Sequence, residues 1–180
     1  MTNETAPLLE AATAKEESDG KWTLIFTRRF NHSIEDVWDA LTIPEEVDQW
    51  APYTPSRPLT ATGEVTFTQD AGGGYVDTVA FEVTISERPR LLEYTMGQSV
   101  VRWELTADGQ ATSLTVQQTV PEAKWVSMGA AGWHICFDVL EHLLDGNPVG
   151  KRIGKTAMQY GWRDLNTGYA SKFGTAAGGW

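Results

Sequence analysis

Hydrophobic and polar positions change period several times along the chain, and each change marks an element. Residues 21–30 (KWTLIFTRRF) alternate: Trp22, Leu24, Phe26 and Phe30 share one face, and Thr23, Ile25, Thr27 and Arg29 the other. A period of two predicts a half-buried strand. At Ser33 the period becomes helical. Ile34, Val37, Trp38 and Leu41 recur at helical spacing, with Ser33 placed to cap and Asp36 three residues on. Pro44 opens a second short helix, PEEVDQW, and Pro52, Pro55 and Pro58 then enforce an irregular connection.

From Gly63 to Pro121 the period returns to two. Val65 and Phe67 pair by parity, and Tyr75, Asp77, Val79, Phe81, Val83 and Ile85 form a longer set. Leu92, Tyr94 and Met96 follow, then Val101, Trp103 and Leu105, then Leu114, Val116, Gln118 and Val120 beyond an Asp108-Gly109 hairpin signal. Short connections between successive strands predict an antiparallel meander. From about Trp125 to Asp145 the pattern is helical again, with Trp133, Cys136, Phe137, Leu140, Leu143 and Leu144 in one wide stripe. Gly146 stops it and Pro148 forbids its resumption. A further helical pattern over about 157–172 contains Trp162, Leu165 and Tyr169. The expected fold is α+β: a curved antiparallel sheet of about six strands, two short helices after the first strand, and a long C-terminal helix. Residues 1–20, polar and acidic, are expected to be a disordered tail. Residues 21–173 form one domain and 174–180 a C-terminal tail.

Composition sharpens this picture. The chain has 180 residues, enough for one domain with a real core, and nineteen of them are aromatic. That much aromatic surface needs burial or a cavity to line. A single Cys excludes an intramolecular disulfide framework and a cysteine-built zinc cluster, and fits a reducing cytoplasm. The formal charge is −10. An acidic chain repels phosphate backbones, so nucleic acid is not an expected partner. No stretch is apolar and long enough for membrane insertion, and the N-terminus lacks the pattern of a secretory signal, so the expected location is cytoplasmic.

Several local patterns have candidate chemistry. Gly150–Thr156 (GKRIGKT) ends like a phosphate loop, but only three residues separate its glycines and it follows a helix, which favours a basic interhelical loop. His134, Asp138 and His142 stand at successive i+4 positions, a stripe that could hold a metal; it points away from the apolar face, so a solvated polar face is preferred and no metal is expected. His134 sits nearest the border and reaches toward a cavity mouth. Cys136 lies on the apolar side and reads as a buried, inert thiol. Asp77 shares an inward parity, which suits a rim or bulge position or else a polar anchor for a ligand. Asp77 and His134 are the candidates for catalysis. Gly72-Gly73-Gly74 suits a hairpin tip or a mobile lid. Trp50, Phe67, Tyr75, Asp77, Phe81, Tyr94, Trp103, Trp133 and Phe137 are the candidate ligand-binding residues, because the aromatic set exceeds what a thin sheet–helix sandwich needs.

The order of elements and four local patterns resemble the SRPBCC superfamily, the START-like and Bet v 1-like helix-grip proteins. FTRRFNHSIEDVWDALTIPEEVDQW is similar to the opening strand, helix and turn of its bacterial homologues of the heat-shock-protein 90 ATPase activator. VTISERPRLLEYTM, LTADGQATSLTVQQTV and GAAGWHICFDVLEHLLDG resemble later passages of the same branch. The likeness spans about residues 21–146. It implies a sheet gripping the long helix around a cavity for lipids, polyketides or other apolar molecules. The function expected on this basis is binding of a small hydrophobic or aromatic ligand, with no cofactor. The alternatives are a polyketide cyclase or hydrolase acting in the same cavity, or a chaperone co-regulator by family analogy. Trp162, Tyr169 and Trp180 are left to seal the end of the cavity or to form a homodimer contact.

Overall fold

The computed structural model describes residue 9, residues 11–70 and residues 76–179. Among these, eight strands form one antiparallel sheet: β1 (Ala11–Glu16), β2 (Trp22–Phe30), β3 (Thr54–Pro55), β4 (Gly63–Asp70), β5 (Val76–Glu87), β6 (Leu91–Met96), β7 (Ser99–Asp108) and β8 (Ala111–Val120). Their spatial order is β1-β2-β8-β7-β6-β5-β4-β3. The meander is therefore joined at its end to the strand that opened the domain. Two strands exceed the expected six. β1 falls in the acidic stretch expected to be a disordered tail. Its Ala12 is buried opposite Phe26, and pairing with β2 satisfies a row of backbone groups that would otherwise face solvent. β3 is a two-residue pairing onto β4 among the prolines.

The helices are α1 (Ile34–Thr42), α2 (Pro44–Val47), α3 (Lys124–Leu144), α4 (Lys155–Met158) and α5 (Trp162–Phe173). Ser33 caps α1, its hydroxyl accepting from the Asp36 amide at 3.2 Å, and Pro44 occupies the first turn of α2. The single helix expected over 157–172 is two. Gly161 adopts φ 82°, a left-handed conformation that ends one helical run and starts the next. The inward parity expected through Ile85 breaks at a bulge between Val83 and Ile85. Beyond it Ser86 pairs with buried Leu92 and donates to the Leu59 carbonyl.

α3 lies along the inner face of the sheet and packs against β2 and α5. Its Ala130, Val126, Phe137 and Leu140 are fully buried in one continuous core with Leu24, Phe26, Leu114 and Val116 of the sheet. A buried chain of side chains ties the C-terminal segment to it. Ser127 donates to Asn166, and Asn166 donates to the Gly178 carbonyl, each at 2.7 Å. A Cβ at position 178 would meet Met128 Sδ at 2.5 Å and the Lys124 carbonyl at 2.7 Å, so this close approach requires glycine.

Candidate functional site

Strand alternation and helical spacing select inward residues, and the described aromatic members of the expected set are buried. Six of its members pack on one another and are absent from the walls of the spaces described below. Trp50 meets Trp103 edge-on at 6.1 Å between centroids, Phe67 meets Phe81 at 4.0 Å, and Phe137 joins Trp50 and Trp103 at about 6 Å. Tyr53, absent from the expected set, stacks on Phe67 at 4.5 Å and closes the cluster. The polar tips are satisfied internally. Tyr53 and Tyr94 share a hydrogen bond through their hydroxyls, Trp103 Nε1 donates to the Tyr94 hydroxyl at 3.0 Å, and Trp50 Nε1 donates to the Ala40 carbonyl at 2.9 Å. Burial raises the Tyr53 phenol well above its ordinary range and pushes Tyr94 to about 12.

Among the described members of the expected set, Trp133 alone borders a cavity of about 390 Å³ against the first half of α3. One wall is the α3 face that carries Met128, Gly129, Gly132, Trp133 and Cys136. A second is the end of the sheet, where Ser99, Gln118 and Val120 come together. The third is the segment after α3: Arg152, Ile153, Ala157, Met158 and Trp162 close over the opening. The sequence pattern reads residues 146–157 as a mere interruption; in space they complete the enclosure. Trp125 stands at the lip, about a third exposed. Gln118 occupies an inward position of β8, and its Oε1 accepts from Trp133 Nε1 at 2.9 Å. Its inward parity is the signal that could have found it.

The closing segment is anchored by charge. Lys151 pairs with Asp48 at 2.9 Å, next to Thr54, which donates to the same carboxylate. These contacts hold Asp48 below its ordinary range, the Thr54 hydrogen bond first and Lys151 next. A wider surface groove of about 660 Å³ runs beside this anchor, with polar Asp48, Thr54 and Lys151 and apolar Pro55, Val76 and Ile153 in its lining.

The candidate catalytic residues lie elsewhere. Asp77 is exposed near the start of β5, paired in register with Gln69, and borders none of these spaces. His134 is half-buried between α3 and α5. Its Nδ1 and the Tyr169 hydroxyl share a hydrogen bond at 2.8 Å, and its ring meets Phe26 edge-on at 6.5 Å. The stripe expected to be a solvated face is thus partly covered, because α5 packs on it. Asp138 in that stripe pairs with Arg28 at 2.7 Å. Tyr75 and Gly72-Gly73-Gly74 lie outside the described residues. Cys136 is buried, and burial pushes its thiol to about 12, which suits the expected inert role.

A long antiparallel sheet curved around one C-terminal helix, after two short helices, defines a helix-grip protein of the SRPBCC type. Residues 31–145 match the family described as activator of Hsp90 ATPase homolog 1-like protein, and the chain belongs to that family. No curated protein matches it in sequence. Solved structures of the same fold include CalU16 from Micromonospora echinospora, 18% identical over 89% of this chain and 95% of that one, with a TM-score of 0.62. A protein of unknown function, EF2215 from Enterococcus faecalis, is 16% identical over 90% of both chains, with a TM-score of 0.68. MLL2253 from Mesorhizobium loti is 26% identical over 71% of this chain and 99% of that one, with a TM-score of 0.60. The family match ends at residue 145, so the third wall of the cavity lies beyond it. No helix among the described residues is long and apolar enough to cross a membrane.

Proposed function

We propose that the protein binds a small hydrophobic or aromatic molecule in the cavity between α3, the end of the sheet and the segment after α3. The observation that carries this reading is the mainly apolar, three-walled space of about 390 Å³, within the range of small-molecule sites. Met128, Trp133, Ile153 and Trp162 supply apolar area, and Gln118 supplies a polar group for orientation. The two candidates for a catalytic reading, Asp77 and His134, both stand outside this space, which favours binding over catalysis.

Native mass spectrometry of the protein purified from its host tests the reading. A mass increment that disappears on denaturation is the expected result. The cavity also holds three indoles, Trp125, Trp133 and Trp162, so a bound molecule alters tryptophan emission. An unliganded mass, together with no emission change across a panel of apolar compounds, rejects the proposal.

A further inference from the structure

The ligand-binding reading leaves open what the polar end of the ligand is, and the inference here rests on that reading. The polar side chains at the cavity are Ser99, Gln118 and Arg152. Gln118 uses its carbonyl oxygen on Trp133. Arg152 is different. Its Nε is buried without a hydrogen-bond partner, and among the described residues no carboxylate pairs with its guanidinium. Its neighbour Lys151 is already neutralised by Asp48. The guanidinium lies 3.9 Å from the centroid of the Tyr160 ring, an interaction that orients the group without supplying an acceptor. A buried donor with no acceptor is unfavourable, and in a native fold it calls for a missing partner.

Arg152 is also the only charged side chain among the described residues that line the cavity, in a chain whose formal charge is −10. A lone cation in the wall of an apolar space attracts an anionic group. A guanidinium matches a carboxylate in geometry, through paired N–H donors. The remaining walls are apolar and suit a hydrocarbon or aromatic body.

We propose that the cavity takes an amphipathic carboxylate, with its apolar body between Met128, Trp133 and Trp162 and its carboxylate on Arg152. The Tyr160 ring pre-orients the guanidinium, which lowers the ordering cost of binding.

Calorimetric titration of the full chain with decanoate and with decan-1-ol tests this. The wild type is expected to bind decanoate at least tenfold more tightly than the alcohol. Arg152→Gln is expected to weaken decanoate by about tenfold to a hundredfold, the span of one charge-assisted hydrogen bond, and to leave decan-1-ol unchanged. Tyr160→Leu, at an exposed ring, is the second variant and weakens decanoate alone. Equal affinity for acid and alcohol, or a decanoate affinity indifferent to both variants, overturns the carboxylate anchor while apolar binding stands. Failure of both compounds to bind the wild type rejects the anchor together with the binding reading beneath it.

Discussion

Trp133 donates its indole N–H to Gln118 at 2.9 Å while its ring meets Trp103 edge-on at 5.1 Å. One face of this residue thus belongs to the closed aromatic core and the other to the cavity. The partition between packed interior and open space runs through a single side chain, held in place by one hydrogen bond from α3 to β8. Gln118→Leu keeps the volume and removes the acceptor. The Trp133 N–H is then buried without a partner, and the expected loss of stability is about 1–2 kcal/mol. Urea unfolding should show a lower midpoint at unchanged slope. An unchanged midpoint would show that Gln118 does not hold the indole.

Much of the frame was legible in the chain. The alternation of Trp22 to Phe30, the Ser33 cap, the Asp108-Gly109 hairpin and the stripe of α3 each arise from local geometry, and each appears where the pattern puts it. β1 was not legible, because AATAKE has little β-propensity and gains its strand from pairing with β2. The cavity was legible only in part. Parity tells which side chains point inward. It does not tell whether the space they enter is filled, and Trp50, Phe67, Phe81, Tyr94, Trp103 and Phe137 fill it with each other. The open space lies where residues 150–162 return to the sheet end, a long-range contact that no local period encodes.

Arg28 shows the same limit in electrostatics. It stands between Phe26 and Phe30 on the inner face of β2, with only 8% of its side chain exposed, and pairs with Asp138 on α3 at 2.7 Å. It also donates to the His134 carbonyl at 3.3 Å. Asp138 is 44% exposed, so solvent screens part of the attraction. Asp138→Ala strips the carboxylate from a buried guanidinium, and the expected cost is about 2 kcal/mol. A double-mutant cycle with Arg28→Met should return a coupling of the same order. Additive single-mutant losses would show that the pair contributes no coupling.

Alkaline pH tests the closed aromatic core. Burial favours the protonated forms of Tyr94 and Cys136, which rise from ordinary values of 10.0 and 9.0 to about 12, and it raises Tyr53 in the same direction. The folded state therefore retains protons that the unfolded chain releases first. The stability these groups contribute is complete below about pH 9 and declines as pH climbs toward about 12. Denaturant midpoints should fall across that window. Iodoacetamide should leave Cys136 unmodified in the native protein at mildly alkaline pH and alkylate it once urea unfolds the chain. Rapid native-state alkylation would show that the thiol is open to solvent.

Gly132 gives the most direct access to the cavity. It lies within α3, lines the space, and a Cβ built on it meets no atom within 4 Å. Two substitutions at this one position separate stability from binding. Gly132→Ala adds a methyl to open space and removes the entropic cost of glycine in a helix interior. It should stabilise the fold by about 0.8–1 kcal/mol and raise Tm by a few degrees. Gly132→Phe sends a ring into the cavity from a backbone that already tolerates a Cβ. It should leave the circular dichroism of the fold intact and abolish the tryptophan emission change produced by an apolar ligand. If the phenylalanine variant binds as the wild type does, the ligand sits elsewhere. If alanine destabilises, the helix face at Gly132 is closed in solution and the cavity beside it is smaller than its walls suggest.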